Sequence, residues 1–175
     1  MDDARPHDAG RAQLDAIGRL SETLEDRGID HWLFGGWAVD FWVGRVTRPH
    51  DDIDVAAWHA DRDTIADVLT AHGWRQAEAD DGVGARYVSS AVLLEFTFVV
   101  ADQAGRVLIP FEGGPAVWSE TQFGDDRRVL EGARCRTLPL SVLRAGKQVP
   151  RTESAEAAKD LADFAALARV VGADG

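Results

Sequence analysis

Two aspartates, Asp52 and Asp54, lie two positions apart in the apolar segment 52–57. In a strand, residues two apart point to the same face, so both carboxylates leave one side while Ile53 and Val55 point to the other. Carboxylates held this close repel each other unless a cation lies between them, and oxygen ligands of this kind suit Mg²⁺. Taken alone, such a pair is more often a solvated acidic strand end. It indicates a metal site only in combination with neighbouring features of the sequence.

A glycine pair, Gly35 and Gly36, separates the apolar run 31–34 from the apolar segment 37–43. The run predicts a buried strand and the segment predicts two turns of helix, which makes the glycines a tight turn between them. In that position bare backbone N–H groups can approach a phosphate, and the helix N-terminus favours its negative charge. An ordinary tight turn is the alternative for the glycines taken alone.

The order of these features along the chain indicates phosphoryl or nucleotidyl transfer. A strand, a glycine pair, a short helix and an Asp-x-Asp strand together place a phosphate-binding turn beside a metal site. Arg48 and His50, in the loop before the carboxylates, add positive or donor groups near the same point. For Arg48, an ion pair with Asp40 or Asp51 is the alternative.

The remaining hydrophobic pattern predicts the elements that position these residues. Apolar residues recur at helical spacing over 9–27 and 61–72, and a glycine follows each segment. Apolar runs bounded by turn residues predict further strands at 74–79, 85–89, 92–100 and 106–111. The pattern therefore indicates an α+β fold with a mixed β-sheet flanked by helices.

The last third of the chain is predicted to be rich in loops, with a short strand near Cys135 and two helices, the second over 154–171. These helices would form a short C-terminal helical tail. No linker demands two independent domains. We therefore expect one domain over 1–175, with a catalytic α/β core at 1–112 and a loop and helical part at 113–175.

The composition limits the classes of partner. Among 175 residues, 19 basic and 30 acidic side chains give a formal net charge of −11, which argues against a nucleic acid partner. The apolar segment 92–101 is too short to span a bilayer, and residues 1–10 lack the apolar core of a signal peptide. Cys135, the single cysteine, cannot form an internal disulfide. We therefore expect a cytoplasmic protein with no membrane partner.

The segment GGWAVDFWVGRVTRPHDDIDV, residues 35–55, resembles the nucleotide-binding motif of the DNA polymerase beta-like nucleotidyltransferase superfamily. It is most similar to the antibiotic nucleotidyltransferases that modify lincosamides and to the aminoglycoside 2''-nucleotidyltransferases. In those families a Gly-Gly-Trp opening, a Thr-Arg-x-His segment and an Asp-Ile-Asp pair occur in this order. Residues 112–114, 118–120 and Phe123 add a thinner similarity to the lincosamide branch. The resemblance implies the nucleotidyltransferase fold.

The resemblance also implies a role for the matching residues. Asp52 and Asp54 would bind Mg²⁺, with two ions expected, while Gly35 and Gly36 would hold the β- and γ-phosphates of ATP. These families place a third carboxylate, usually an aspartate, on a later strand, where it completes the metal site or deprotonates the acceptor hydroxyl. Glu95 is the candidate here, because it is a lone acid in an apolar strand, where an unpaired charge is costly. A solvent-facing glutamate at a strand edge is the alternative.

Further candidates would bind the nucleotide or the acceptor. Arg48, His50 and Lys147 would contact the nucleotide, although a solvated helix end is an equal interpretation for Lys147. Trp37 and Trp118 would line an acceptor pocket, with a place in the hydrophobic core as the alternative.

The resemblance implies Mg²⁺-dependent transfer of AMP from ATP to a hydroxyl of a lincosamide or aminoglycoside, a small cationic antibiotic, with release of pyrophosphate. Two alternatives stay open. One is the same chemistry on a protein or tRNA, as in toxin-like members, although the acidic balance argues against tRNA. The other is a catalytically degenerate nucleotide-binding module. Relatives often work as dimers, so a homodimer is one assembly to test.

Overall fold

A mixed β-sheet lies at the centre of the molecule, with helices packed around it. The computed structural model describes residues 6–79 and 82–171. Within these ranges the helices are α1 (Pro6–Glu25), α2 (Gly35–Val43), α3 (Arg62–Ala71), α4 (Leu140–Lys147) and α5 (Ser154–Val171). The strands are β1 (His31–Phe34), β2 (Ile53–Trp58), β3 (Arg75–Ala79), β4 (Gly84–Ser89), β5 (Val92–Ala101), β6 (Val107–Ile109), β7 (Ala116–Ser119), β8 (Arg127–Leu130) and β9 (Ala133–Arg136).

The sheet follows the order β1-β2-β5-β4-β3, with β6 paired to β5 and β7 paired to β6. The β2–β5 pair is parallel, and the other pairs of this sheet are antiparallel. Strands β8 and β9 form a separate two-stranded ladder. This arrangement confirms the predicted α+β class and its mixed sheet.

One row of side chains crosses the five-stranded path and lies at the heart of the candidate site. Phe34 is the register partner of Asp54, Asp54 of Glu95, Glu95 of Arg86, and Arg86 of Glu78. Because directly opposite residues of neighbouring strands share a face, the acids of β2 and β5 meet side by side. The opposite face is apolar and holds the buried core side chains of the same strands, among them Ile53, Val55, Leu94, Phe96 and Phe98.

Helix α2 begins directly after β1, which corrects one detail of the sequence prediction. The turn expected at Gly35 and Gly36 is itself the first part of the helix, so α2 starts two residues before the predicted Trp37. Phe34 is extended and Gly35 has a φ of +67°, a left-handed value that glycine adopts without strain. The chain therefore turns from strand into helix over a single residue.

The segment after residue 113 contains more β-structure than predicted. Strands β7 and β8 lie in the stretch that was predicted to be a loop. The sequence pattern does not reveal them, because each strand is short and only partly buried and so lacks a strong apolar alternation. A hydrogen bond from Leu138 N–H to the Leu33 carbonyl (3.0 Å) ties the connection between β9 and α4 to β1. The Trp42 indole donates to the Leu138 carbonyl (3.1 Å). These contacts bring α4 and α5 against α2.

None of the helices in residues 6–79 and 82–171 combines the length and the apolar character that crossing a membrane requires.

Candidate active site

Three carboxylates from β2 and β5 form the centre of the site. Asp54 and Glu95 are register partners in the parallel pair, and Asp52 immediately precedes β2 on the same side as Asp54. Each offers an oxygen within 4.8 Å of the oxygens of the other two. Three converging oxygens fit a hard divalent cation such as Mg²⁺, because they supply the donors that it prefers and the negative charge that it balances.

Burial and mutual repulsion disturb the titration of this group. Burial, with the charges of Asp52 and Glu95, raises the pKa of Asp54 from 3.8 to about 7. Burial and the neighbouring Asp51 raise the pKa of Asp52. The Asp54 carboxylate is therefore held in an environment that opposes its charge until a cation arrives.

Glu95 has a cationic partner that sequence reasoning missed. Arg86 Nε lies 2.8 Å from a carboxylate oxygen of Glu95, and Arg86 Nη1 lies 3.1 Å from Glu78. Burial raises the pKa of Glu95, while the Arg86 guanidinium opposes that rise. Glu95 is therefore not an unpaired acid. The register of the β4–β5 hairpin is the signal that could have identified Arg86, because it places Arg86 directly opposite Glu95.

Gly35 and Gly36 lie so close to side chains of the site that an added Cβ would overlap them. A Cβ added at Gly35 would overlap the Asp54 carboxylate. A Cβ added at Gly36 would lie 2.6 Å from Arg48 Nη2 and would also overlap the His50 ring. The first turn of α2 is thus packed against both the acidic group and two donor side chains, at the end of the helix that favours an anion.

Arg48 and His50 are each held by a buried aspartate. Arg48 binds Asp163 with two parallel hydrogen bonds, Nε to Oδ1 at 3.1 Å and Nη2 to Oδ2 at 3.0 Å. His50 Nε2 donates to Asp40 Oδ2 at 2.6 Å. Asp40 also accepts from the Thr47 N–H at 3.0 Å. Arg48 is thus paired as the alternative interpretation supposed, but with Asp163, and neither Asp40 nor Asp51 is its hydrogen-bond partner.

A cavity of about 470 Å³ brings these residues together with the C-terminal part of the chain. Its lining includes the predicted residues Gly35, Gly36, Arg48, His50, Asp52, Asp54, Glu95, Trp118 and Lys147. Lys147 is no solvated helix end, because its side chain is 11% exposed and pairs with Asp160 (2.9 Å) and Asp163 (2.8 Å). Two cations that the sequence did not single out for this site, Arg151 and Lys159, also line it.

The two tryptophans considered for the acceptor differ in position. Trp118 lines the cavity and meets the Phe34 ring edge-on, with 5.0 Å between the ring centroids. Trp37 is 1% exposed, and its indole donates to Gln13 (3.2 Å) beneath the His50 ring. The structure therefore does not bring Trp37 into this cavity. Trp37 belongs to the hydrophobic core, where its ring packs against the His50 ring with 4.6 Å between the ring centroids.

Solved structures share this fold. The lincosamide antibiotic adenylyltransferase LnuA, in its lincomycin-bound crystal structure, superposes with a TM-score of 0.71 over 91% of this chain and 96% of that chain, at 17% identity. ANT(2'')-Ia in complex with adenylyl-2''-tobramycin gives a TM-score of 0.64 over 93% of this chain and 91% of that chain, at 21% identity. The fold is therefore that of the antibiotic nucleotidyltransferases.

Sequence comparison gives the family. The model of the aminoglycoside-2''-adenylyltransferase family matches residues 16–138. Proteins described as 2''-aminoglycoside nucleotidyltransferases from Escherichia coli and Klebsiella pneumoniae are each 35% identical over 111 residues, which is 63% of this chain and 52% of theirs. The chain belongs to the aminoglycoside-2''-adenylyltransferase family. It spans about half the length of these curated relatives.

Proposed function

We propose that this protein is a Mg²⁺-dependent nucleotidyltransferase that transfers AMP from ATP to a hydroxyl group of a small antibiotic. The observation that carries the proposal is the convergence of three carboxylates, a glycine-lined helix N-terminus and a group of cations on one cavity. A metal-bound triphosphate needs carboxylates to hold the metal, and backbone N–H groups and cations to bind its phosphates. The family and the fold agree with this chemistry.

Asp52, Asp54 and Glu95 are the proposed ligands of Mg²⁺, with two ions expected during transfer. Bound there, Mg²⁺ would offset the charge of the triphosphate and make its α-phosphorus more open to attack. The buried position of Asp54 fits this role, because a carboxylate whose charged form is disfavoured gains most from a cation.

The triphosphate is proposed to lie along the cationic side of the cavity. The first turn of α2, at Gly35 and Gly36, offers backbone N–H groups without side chains that would block a phosphate. Arg48, His50 and Lys147 would contact the phosphate oxygens, since all three line the same cavity. Donors arranged in advance stabilise charge that develops on the leaving pyrophosphate.

The reaction is a direct displacement at phosphorus. The acceptor hydroxyl oxygen forms a bond to the α-phosphorus, and the bond from that phosphorus to the α,β-bridging oxygen breaks. The bonding electron pair leaves with pyrophosphate. Glu95 is proposed to take the hydroxyl proton, because burial raises its pKa toward that of a useful base while Arg86 keeps it oriented.

The acceptor is proposed to be a lincosamide or an aminoglycoside. LnuA binds lincomycin, and ANT(2'')-Ia is seen with an adenylylated tobramycin. Trp118 and Phe34, which is the register partner of Asp54, supply an aromatic wall in the cavity on which a sugar-like ring can pack. Since Trp118 and Lys147 line the cavity together with β2 and β5, we also propose that 113–175 and 1–112 act as one unit.

The decisive test is incubation with Mg²⁺, each of the four nucleoside triphosphates and a mixed antibiotic panel, followed by mass spectrometry. The expected product is one antibiotic carrying one AMP, with pyrophosphate released in equal amount and no product from Asp54→Asn. Label on a protein or RNA instead would favour the toxin-like alternative, and nucleotide binding without transfer would favour a degenerate module. Homodimer formation and a cytoplasmic location stay predictions, tested by analytical ultracentrifugation and by cell fractionation.

A further inference from the structure

Helix α5 places two buried carboxylates behind the cations of the cavity. Asp163 Oδ2 lies 2.8 Å from Lys147 Nζ and 3.0 Å from Arg48 Nη2, and its Oδ1 accepts from Arg48 Nε at 3.1 Å. Asp160 accepts from Lys147 Nζ and Arg151 Nε, both at 2.9 Å. The two acids are three residues apart and so share one helix face. Cations from the loop before β2, from α4 and from the segment before α5 thus converge on one helix.

Asp163 is not itself placed to meet a ligand. Its side chain is 1% exposed, and it is absent from the cavity lining to which Arg48 and Lys147 contribute. Although burial opposes the charge, hydrogen bonds from Arg48 and Lys147 lower the pKa of Asp163. Asp163 also lies beyond residue 138, where the family match ends. Any effect of Asp163 on the nucleotide must therefore pass through its two cationic partners.

Within the described part of the chain, the hydrogen bonds of Arg48 and Lys147 do not use all of their N–H donors. Arg48 carries five N–H donors, of which two go to Asp163 and one to the Pro49 carbonyl at 3.1 Å. Lys147 carries three donors, and Asp160 and Asp163 take one each. Both cations are thus held by carboxylates, and each keeps at least one N–H group that no acceptor in residues 6–79 and 82–171 takes up and that can bind a phosphate oxygen.

We infer that Asp163 is a positioning residue for the triphosphate, which holds Arg48 and Lys147 in the orientation that the phosphates require. This inference rests on the function proposed above. Long flexible side chains lose rotamer freedom when they bind a ligand, and a partner that orders them beforehand removes that cost from binding. Asp160 has the same role toward Lys147 to a smaller extent, because its other partner, Arg151, is half exposed.

Asp163→Asn separates positioning from simple charge balance, because the two predict opposite signs. The substitution removes one negative charge near the phosphates, so charge balance alone would tighten the binding of an anion. If Asp163 acts by positioning, the same substitution weakens binding, since Arg48 and Lys147 lose their anchor. The sign of the change in affinity therefore decides between the two.

The experiment measures the dissociation constants of inorganic pyrophosphate, Mg·ATP and adenosine by isothermal titration calorimetry. For Asp163→Asn we expect binding of pyrophosphate and Mg·ATP to weaken about tenfold, which is the scale of one charge-assisted hydrogen bond. Adenosine, which has no phosphate, should bind as it does to the wild type. Glu153→Gln is the matched control, because it removes one acidic charge from an exposed position just before α5 and should change each constant less than about twofold.

A second measurement tests the route through the cations. In a protein already carrying Arg48→Ala and Lys147→Ala, Asp163→Asn should cause no further weakening of pyrophosphate binding, because the side chains that it positions are gone. If Asp163→Asn does not fold, Asp160→Asn replaces it, with the same expected direction and a smaller change. Unchanged or tighter pyrophosphate binding in a folded variant overturns the inference alone. Failure of the wild type to bind pyrophosphate or Mg·ATP overturns the proposed function and this inference with it.

Discussion

Asp54→Asn should abolish the proposed AMP transfer and yet stabilise the metal-free protein. The pKa of Asp54 is raised from 3.8 to about 7 by burial and by the charges of Asp52 and Glu95. At about 1.4 kcal/mol for each pKa unit, ionising this carboxylate in the folded state costs at most about 4 kcal/mol at pH 8. An asparagine of the same shape does not carry that cost.

The direction in which the stability of the wild type changes with pH follows from proton binding to Asp54. Between pH 3.8 and 7 the folded protein holds a proton on Asp54 that the unfolded chain has released, so wild-type stability falls as the pH rises through this window. The advantage of Asp54→Asn therefore grows with pH and levels off above pH 7. It should be about 2 kcal/mol larger at pH 8 than at pH 5.5, which for a chain of this size is a difference of about 4–8 °C in Tm.

Differential scanning calorimetry in EDTA measures this effect, with Asp51→Asn as the matched control. A hydrogen bond from Lys159 lowers the pKa of Asp51. Because the Asp51 side chain is 80% exposed, loss of its charge in Asp51→Asn should destabilise the protein by less than about 1 kcal/mol. Added Mg²⁺ should raise the Tm of the wild type and leave that of Asp54→Asn unchanged. A lower Tm for Asp54→Asn than for the wild type at pH 8, or a gain that does not vary with pH, would refute the reasoning.

Three further predictions concern the same site. Mg²⁺ affinity of the wild type should rise between pH 6 and pH 8, because a proton on Asp54, whose pKa is about 7, competes with the metal; titration calorimetry at each pH would expose a flat profile, which contradicts the idea. Gly36→Ala should weaken Mg·ATP binding at least about tenfold, since its Cβ would lie 2.6 Å from Arg48 Nη2; wild-type affinity would argue against the close approach. Glu95→Gln should leave Mg·ATP affinity within about threefold of the wild type, because Asp52, Asp54 and the remaining amide oxygen can still hold the metal, and should lower kcat by about 10²-fold or more, because an amide cannot take the hydroxyl proton; full turnover in a steady-state assay would remove Glu95 from the chemistry.

Local sequence features were enough to predict much of the fold. The run at β1, the alternation around Asp52 and Asp54, and the apolar strand carrying Glu95 are properties of neighbouring residues. The helix predicted from the apolar segment 37–43 is present and ends at Gly44, which is left-handed with a φ of +80°. Periodicity and turn chemistry operate within one element, so they can be read without knowledge of the rest of the chain.

The contacts between elements could not be predicted in the same way. Arg86 meets Glu95 only once the register of the β4–β5 hairpin is known, and Asp163 meets Arg48 across 115 positions of sequence, which no local pattern connects. Trp37 and Trp118 have the same chemistry, yet packing places the first in the core and the second at the cavity. Such contacts depend on the alignment of strands and on the packing of helices, and a local sequence pattern does not determine either.

The sequence by itself determined the residue types of the site and their order along the chain: a glycine pair, a basic loop, an acidic pair and a later acid. Only the tertiary structure decided which charges are paired, because an ion pair between distant segments forms only where the sheet and the helices bring its partners within hydrogen-bond distance. That is why the cations of the cavity could be predicted from sequence in part, and the buried aspartates that hold them could not.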